Sequence, residues 1–316
     1  MSLSHLSEYA FDFTASQHDN GLLIHADCLD WLQHLPDNSI HAVVTDPPYA
    51  VKEFEPEQLE KRQNGTGGIW RIPPAFDGNV RSPLPRFTAL SGKELNALTS
   101  FYSALSDELS RVLRPGGHVF IASSSFLSQL IFAAVASKKL EFRGEIIRLV
   151  STLRGGDRPK NAENEFPDVC SLPRGNYEPW GLFRKALPKG MKVSDCLRAY
   201  QTGGLRRDPD GKPFRDVIES TRTSKRERAI ADHPSLKPQA FLRRIVYASL
   251  PLGEGMIVDP FMGSGSTIAA AIAVGYSAIG VEKNPVYYQT SLEVVPQLAN
   301  LRTSFNAPRQ LPLDLQ

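Results

Sequence analysis

Five short apolar runs along the chain predict buried β-strands, because each run is rich in β-branched or aromatic side chains. The five runs are Leu22–Asp27, Ala42–Asp46, His118–Ala122, Met256–Asp259 and Ala278–Glu282. Less regular runs predict two further strands, Glu145–Thr152 and Tyr177–Arg184. The chain therefore holds enough strands for one substantial sheet.

Between these runs, apolar residues recur with the spacing of amphipathic helices. The predicted helices are Cys28–Leu35, Lys93–Leu113, Ser125–Ser137, Lys237–Leu250, Ser264–Val274 and Val286–Leu298. The second helix is followed by "RPGG", Arg114–Gly117, which supplies a helix stop and a turn. Strands that alternate with helices predict an α/β fold, an open sheet with helices on both faces.

Two segments do not fit this alternation. Residues 52–91 are polar and rich in proline and glycine, which predicts a long loop of the kind that serves as a mobile lid over an active site. Residues 185–232 are irregular and basic, and the window 181–230 holds thirteen basic residues against six acidic ones. A basic segment is usually a solvated surface, but this one lies outside the predicted sheet, which favours contact with a nucleic acid.

Composition excludes several classes of protein without selecting one. The 316 residues are 41% hydrophobic and 22% charged with a net charge of +2, as in ordinary globular proteins. The three cysteines form no CxxC pair and the seven histidines show no ligand spacing, so we expect neither a disulfide framework nor a metal site. The first residues lack a basic, apolar leader pattern, and no run approaches about 18 apolar residues, which predicts a cytoplasmic protein.

The stretch "VVTDPPYAV", Val43–Val51, ends a predicted strand abruptly. Proline lacks the backbone donor that a strand ladder requires, so the strand stops at Asp46. A carboxylate and, three residues later, the Tyr49 ring are thereby held at the end of a strand. Taken alone, Asp46 could equally be an ordinary turn aspartate before prolines.

A second informative stretch is "MIVDPFMGSGSTIAAAIAVGYSAIGVEKN", in which a strand runs into Phe261, Gly263 and Gly265 and then into an alanine-rich helix. Glycines permit a sharp turn and close backbone approach, and a helix N-terminus offers free N–H groups. Glu282, at the end of the next strand, is placed to accept hydrogen bonds from ribose hydroxyls. This pattern predicts a nucleoside-bearing cofactor. The third glycine of the dinucleotide fingerprint is absent, however, and a glycine turn beside a solvated Glu282 is the alternative.

Together the two stretches resemble a known family. "DPPY" at Asp46–Tyr49 with "DPFMGSG" at Asp259–Gly265 resembles the amino-group DNA methyltransferases, which use S-adenosylmethionine. The order of catalytic motif, basic segment and cofactor loop is similar to that of the family's beta class. "HPSLKP" at His233–Pro238 is similar to that class's HP-x-x-KP element, and the resemblance spans roughly residues 20–300.

The resemblance implies a Rossmann-like, seven-stranded methyltransferase sheet with a circularly permuted motif order. Strands from both ends of the chain would interleave, placing Met256–Asp259 beside Ala42–Asp46. Residues 1–184 and 233–316 would form one composite catalytic domain, and residues 185–232 a small basic target-recognition insert. Both motifs would then face one crevice at the topological switch point of the sheet.

The resemblance also implies roles for individual residues. Asp46 and the Pro47 carbonyl would accept the two hydrogens of an exocyclic amine, Pro48 would stiffen this template, and the flipped base would stack on Tyr49. The cofactor-binding residues would be Asp27, Cys28, Asp46, His233, Ser235, Lys237, Asp259, Phe261, Gly263, Gly265, Ser266 and Glu282. The DNA-binding residues would be Arg206, Arg207, Lys225 and Arg226. For His233 the alternative is a helix-entry role with Ser235 as N-cap, and we expect the thiol of Cys28 to be inert.

The implied activity is methyl transfer to the N6 amine of adenine in a base flipped out of duplex DNA. In this family an aspartate at the first motif position usually accompanies adenine and a serine usually accompanies cytosine, so N4-cytosine is the alternative substrate. Rival functions are a nicotinamide dehydrogenase, a non-catalytic nucleic-acid binder, and an RNA or protein-amine methyltransferase. The family also raises a homodimer and a cognate restriction endonuclease as partners, and no membrane is expected.

Overall fold

The computed structural model describes residues 3–48, 70–71, 84–85, 90–137, 139–150, 156, 158–159, 161–231 and 236–305. Its strands are β1 Thr14–His18, β2 Gly21–His25, β3 Ile40–Thr45, β4 Trp70–Arg71, β5 Leu84–Pro85, β6 Leu113–Ala122, β7 Leu140–Leu149, β8 Tyr177–Lys185, β9 Val217–Glu219, β10 Met256–Asp259 and β11 Ser277–Glu282. Its α-helices are α1 Cys28–His34, α2 Gly92–Val112, α3 Ser128–Val135, α4 Val193–Tyr200, α5 Lys225–Ile230, α6 Gln239–Ser249, α7 Ser266–Val274 and α8 Pro285–Ala299. A 3-10 helix over Leu3–Ala10 precedes them.

Nine of these strands form one mixed sheet in the order β1-β2-β11-β10-β3-β6-β8-β7-β9. Strands β2, β11, β10, β3 and β6 are parallel, whereas β8 runs antiparallel to both its neighbours. The antiparallel β1 and the short β9 extend the expected seven strands at the two edges. The predicted α/β fold is therefore confirmed, and β10 pairs directly with β3 as expected.

Both faces of the sheet are covered, which explains why the central strands are mainly apolar. All six residues of β3 are buried. Val44 packs in the core formed with α6, α7 and α8, and its neighbour Val43 packs in the core formed with α1, α2 and α3. Successive residues of a strand point to opposite faces, so most must be apolar when both faces are covered, and the buried His41 and Thr45 of β3 each have a hydrogen-bond partner.

Three expectations about segment boundaries are wrong. The predicted strand over His118–Ala122 begins five residues earlier, at Leu113, directly after α2 ends, so "RPGG" lies within β6. The predicted strand over Glu145–Thr152 likewise begins five residues earlier, at Leu140. The segment 185–232 is predicted to lie outside the sheet, yet its β9 pairs in parallel with β7 and it also contains α4 and α5. A strand of three residues is too short to produce a readable period. The division into a catalytic domain and an insert stays a prediction.

The predicted lid, residues 52–91, lies almost wholly outside the described residues. Within it the structure describes the antiparallel pair β4 and β5 and residues 90–91, which lead into α2. Among all the described helices, none has the length and apolar character needed to cross a membrane.

Candidate active site

A side-chain hydrogen bond joins the carboxyl ends of β3 and β10. Thr45 Oγ1 donates to Asp259 Oδ1 at 2.7 Å, although 214 positions separate the two residues. Val43 and Val258 are register partners in these parallel strands. Asp46, which follows Thr45, and the glycine loop (defined here as Asp259–Gly265) therefore begin at the same edge of the sheet.

The Asp46 carboxylate forms a largely buried ion pair with Lys237. Asp46 Oδ2 accepts a short hydrogen bond from Lys237 Nζ, and the two side chains are 14% and 11% exposed. Burial alone would lower the pKa of Lys237, but the charges of Asp46 and Glu178 raise it. Lys237 precedes α6 and comes from the "HPSLKP" element, so this element reaches the Asp46 carboxylate directly.

A second ion pair extends this cluster, and sequence reasoning missed it. Glu178 Oε2 lies 3.7 Å from Lys237 Nζ and 3.2 Å from an Arg148 guanidinium nitrogen. Trp180 Nε1 donates to Glu178 Oε1 at 2.8 Å. Charged residues within the predicted strands Glu145–Thr152 and Tyr177–Arg184 were the available signal, because a buried charge requires a partner.

The two prolines after Asp46 differ in exposure. Pro47 is buried and Pro48 is exposed. The Pro48 carbonyl accepts a hydrogen bond from Tyr102 Oη at 3.3 Å, and Tyr102 is fully buried on α2. Burial raises the pKa of Tyr102, so its hydroxyl remains a donor. Tyr49 lies outside the described residues, so its predicted stacking role stays a prediction.

The Glu282 carboxylate accepts hydrogen bonds from two backbone amides, one of which belongs to the glycine loop. Its Oε2 accepts from Gly263 N at 2.8 Å and its Oε1 accepts from Asn284 N at 2.7 Å. Burial raises the pKa of Glu282 even though these hydrogen bonds favour its charged form. A carboxylate has about four acceptor positions, so Glu282 retains capacity for a further donor.

Gly265 shapes the turn from the loop into α7. Its φ of +86° is left-handed, and a Cβ at this position would overlap the Val295 side chain on α8. Ser264 is buried, and its Oγ has no hydrogen-bond partner among the described residues. Ser266 begins α7, and its carbonyl accepts from Gln239 Nε2 at 2.8 Å. The loop thus presents an unsatisfied polar atom beside a helix N-terminus.

Asp259, which begins the glycine loop, and Asp27, which begins α1 as its N-cap, have carboxylates in different environments. Asp259 is buried, and that burial raises its pKa to about 6, although Thr45, Thr267 and the Phe261 amide donate to it. Asp27 is the N-cap of α1, accepting from the Leu29 amide at 2.9 Å and from Lys283 Nζ at 2.8 Å. Partial burial would raise the pKa of Asp27, but these bonds lower it.

Of the remaining cofactor-binding candidates, some lie among the described residues and some do not. Cys28 is buried and desolvation raises the pKa of its thiol to about 12, which fits the expected inert thiol. Phe261 is half-buried against Phe101, with ring centroids 5.9 Å apart. His233 and Ser235 lie outside the described residues. In the described part of the chain, no group of three or more histidine, cysteine or acidic residues could hold a metal ion.

The four DNA-binding candidates do not lie together. Lys225 and Arg226 are exposed on the first turn of α5, which is tied to the start of α6 by a hydrogen bond from Gln239 N to the buried Glu227 at 2.7 Å. This places them near Lys237. Arg206 instead stacks on Tyr247, 4.3 Å from the ring centroid, and donates to a tyrosine hydroxyl.

That tyrosine is Tyr276, which directly precedes β11, and the Arg206 amide bonds to Ala248 at the end of α6. Arg206 and the exposed Arg207 therefore lie at the amino-terminal edge of the parallel strands, opposite the edge that carries Asp46. The structure does not bring Arg206 and Arg207 to the edge of the sheet that carries Asp46.

Comparison with known proteins places this site in a family. The sequence pattern of the DNA methylase family N6_N4_Mtase matches residues 40–293. The chain is 40% identical over 267 residues to the Type II methyltransferase M2.DpnII of Streptococcus pneumoniae, covering 84% of this chain and 86% of that protein.

Two solved structures share the fold at low sequence identity. TTHA0409 from Thermus thermophilus, solved in complex with S-adenosyl-L-methionine, has a TM-score of 0.53 at 17% identity, with 87% of this chain and 93% of that chain covered. PvuII DNA methyltransferase, described as cytosine-N4-specific, has a TM-score of 0.54 at 13% identity, with 91% and 88% covered. These likenesses concern the fold, whereas the family match and the 40% identity carry the conclusion. The chain belongs to the N6/N4 DNA methylase family.

Proposed function

We propose that this protein transfers the methyl group of S-adenosylmethionine to the exocyclic N6 amine of adenine in duplex DNA. The observation that carries the proposal is the hydrogen bond between Thr45 and Asp259, because it fastens the end of the catalytic strand to the start of the glycine loop. A template for the amine and a site for a nucleoside-bearing cofactor are thereby adjacent. Family membership supports DNA as the substrate.

The residues around the glycine loop fit S-adenosylmethionine. Glu282 is held by two amides with acceptor capacity left for ribose hydroxyls, and Asp27 stands at the end of the next strand, β2. The buried Ser264 Oγ without a partner among the described residues offers a further polar contact. The helix N-terminus at Ser266 favours negative charge, as on the carboxylate of the cofactor.

Methyl transfer requires the protein to position the amine and to stabilise the positive charge that grows on its nitrogen. S-adenosylmethionine supplies, when bound, an electrophilic methyl group on a sulfonium. Asp46 can accept one N–H of the amine, which orients the nitrogen lone pair, and its negative charge opposes the positive charge that grows on nitrogen. The Pro47 carbonyl is proposed to accept the second N–H. The Pro48 carbonyl is held by Tyr102, which fixes the template to α2.

Adenine is proposed over cytosine because the motif begins with an aspartate. A full carboxylate charge stabilises a positively charging nitrogen more strongly than a hydroxyl does. Sequencing of modified bases in a host that carries this gene, against the same host without it, tests the assignment. We expect N6-methyladenine at one short sequence motif. N4-methylcytosine in its place would overturn the choice of base, and no new modification would overturn the proposed activity.

The position of α5 yields a prediction about DNA affinity. Replacing Lys225 and Arg226 together by glutamine should weaken binding to duplex DNA and flatten its dependence on salt, by about one unit of log–log slope for each phosphate that is no longer neutralised. Both residues are exposed and lie near Lys237. Binding measured across a salt series checks this.

Replacing Arg206 and Arg207 together by glutamine gives the variant with which the Lys225–Arg226 variant is compared. Because Arg206 stacks on Tyr247 and bonds to Tyr276 at the opposite edge, this variant should lose thermal stability and keep most of its DNA affinity. A larger loss of DNA affinity in this variant than in the Lys225–Arg226 variant would locate the DNA interface at the wrong edge for the proposed site.

A further inference from the structure

We propose that Glu178 is a positioning residue, which holds the Lys237 ammonium while the Asp46 carboxylate accepts a hydrogen bond from the target amine. The inference rests on the proposed function, because it assigns a role within the same methyl-transfer site. It concerns a residue that no sequence motif marked and that does not touch the reacting atoms.

Lys237 lies between two carboxylates. Its Nζ is paired with Asp46 Oδ2 and lies 3.7 Å from Glu178 Oε2. All three side chains are less than one fifth exposed. A small rotation of the flexible lysine stem can therefore transfer the ammonium from one carboxylate to the other without passing through water.

Glu178 is the fixed partner in this arrangement. Trp180 Nε1 donates to Oε1 at 2.8 Å and Arg148 donates to Oε2 at 3.2 Å. The Arg148 guanidinium is itself held by Ser220 Oγ at 3.0 Å and by a backbone carbonyl at 3.1 Å, and it lies 5.1 Å from the centroid of Phe241. Because these groups immobilise Glu178, the lysine is the group that moves.

Charge balance explains why the second carboxylate is needed. Asp46 and Glu178 carry two negative charges, and Lys237 and Arg148 carry two positive charges. An amine that donates to Asp46 shares this carboxylate with Lys237, and the positive charge that develops on the amine nitrogen weakens the hold of Asp46 on the ammonium. A buried ammonium left without a partner is strongly destabilised, so Glu178 lowers the cost of releasing Asp46.

The same groups determine when Lys237 is charged. Burial and the Arg148 charge lower the pKa of Lys237, whereas the charges of Asp46 and Glu178 raise it, and the net shift is upward. Removal of either carboxylate should therefore lower the pKa of Lys237. A Glu178 that only fills space, without its charge acting on Lys237, would not produce this change in titration.

Glu178→Gln is the decisive variant, because glutamine keeps the size of the side chain and an acceptor for Trp180 but removes the charge. The cluster then carries one excess positive charge, which opposes the positive charge on the amine nitrogen. We expect kcat to fall by about tenfold or more, the order found when a group that orients a catalytic ligand is lost. The KM for DNA and the Kd for the cofactor should stay within about twofold.

The experiment measures two quantities across pH in wild type, Glu178→Gln and Glu178→Asp. The first is kcat for methyl transfer, which in Glu178→Gln should be below that of wild type at every pH where Lys237 is charged. The second is the rate at which a small acylating reagent labels Lys237 in the free protein, read by peptide mass spectrometry. Since only the neutral amine reacts, labelling at a fixed pH should be faster in Glu178→Gln.

Glu141→Gln is the matched control, because Glu141 pairs with Arg184 at 2.7 Å across the same two strands, β7 and β8, but is 37% exposed. Its labelling and pH profile should match those of wild type. Glu178→Asp retains the charge one methylene further away and should give smaller shifts in the same direction, which keeps the test available if Glu178→Gln does not fold.

Labelling of Lys237 that is unchanged in both Glu178 variants would overturn the proposal, as would an unchanged kcat. The labelling needs neither DNA nor cofactor, so it tests the hold of Glu178 on Lys237 separately from methyl transfer, and kcat tests what that hold contributes to the reaction. Absence of methyl transfer in the wild-type protein would instead contradict the proposed function.

Discussion

Asp46→Ala is expected to lower the rate of methyl transfer by at least about a hundredfold, the scale seen when one positioned polar group is removed from an active site. The substitution removes both the acceptor that orients the amine and the charge that opposes the positive charge on nitrogen. Cofactor affinity should change by only a few-fold, because Glu282 and the glycine loop are intact. Single-turnover methylation and calorimetric titration measure the two effects separately.

Loss of stability must be distinguished from loss of chemistry in this test. Asp46→Ala leaves Lys237 with Glu178 as its nearest carboxylate at 3.7 Å, and a broken buried pair costs about 3–5 kcal/mol when no other partner is present. Asp208→Asn is the control, because Asp208 is 11% exposed and pairs with Arg244 on α6. It should lower the melting temperature and leave methyl transfer near the wild-type rate.

Asp46→Asn adds a test of charge at constant shape. The amide oxygen can still accept a hydrogen bond, but the negative charge is gone, so activity should remain far below that of wild type. Activity within a few-fold of wild type in both Asp46 variants would show that another group serves as the template.

Gly265→Ala should weaken cofactor binding by about tenfold or more and lower the melting temperature. The left-handed φ of +86° costs a residue with a side chain about 1–2 kcal/mol. The new Cβ also overlaps Val295 on α8, and overpacking of this kind costs about 1–3 kcal/mol. Either the loop turns away or α8 shifts, and both changes disturb the contact between Gly263 and Glu282.

Two further variants separate these effects. Gly190→Ala places an alanine at a φ of +82° with no atom within 4 Å of its Cβ, so it should show the backbone cost without a loss of cofactor affinity. Gly265→Ala combined with Val295→Ala removes the overlapping methyl group and should recover part of the affinity. Cofactor affinity equal to wild type in Gly265→Ala alone would mean that this turn does not form the cofactor site.

The central part of the fold was predictable because its strands are buried on both faces. The strands β3 and β10 contain the short apolar runs at residues 42–44 and 256–258, and the prolines after Asp46 and the glycines after Asp259 mark the ends of these strands. Each of these signals lies within a few residues of sequence. The pairing of β3 with β10 came instead from the resemblance to the family, and the structure confirms it.

The charged cluster could not be predicted in the same way. Lys237 reaches Asp46 across 191 positions, and Glu178 reaches Arg148 across 30. Contacts of this kind depend on strand order and on side-chain direction, which local patterns do not encode. The spread of the basic residues has the same cause, since residues that cluster in sequence, such as Arg206 and Lys225, lie at different edges of the sheet.

Transfer of an isotopically heavy methyl group to DNA tests the central claim most directly. The purified protein is incubated with unmethylated duplex DNA of mixed sequence and S-adenosylmethionine carrying a heavy methyl, and the DNA is digested to nucleosides for mass analysis. The wild-type protein should yield heavy N6-methyladenine, and Asp46→Asn, at equal cofactor occupancy, should yield almost none. Equal yields from the two proteins, or no heavy nucleoside from wild type, would contradict the assignment of Asp46 and the glycine loop as one methyl-transfer site.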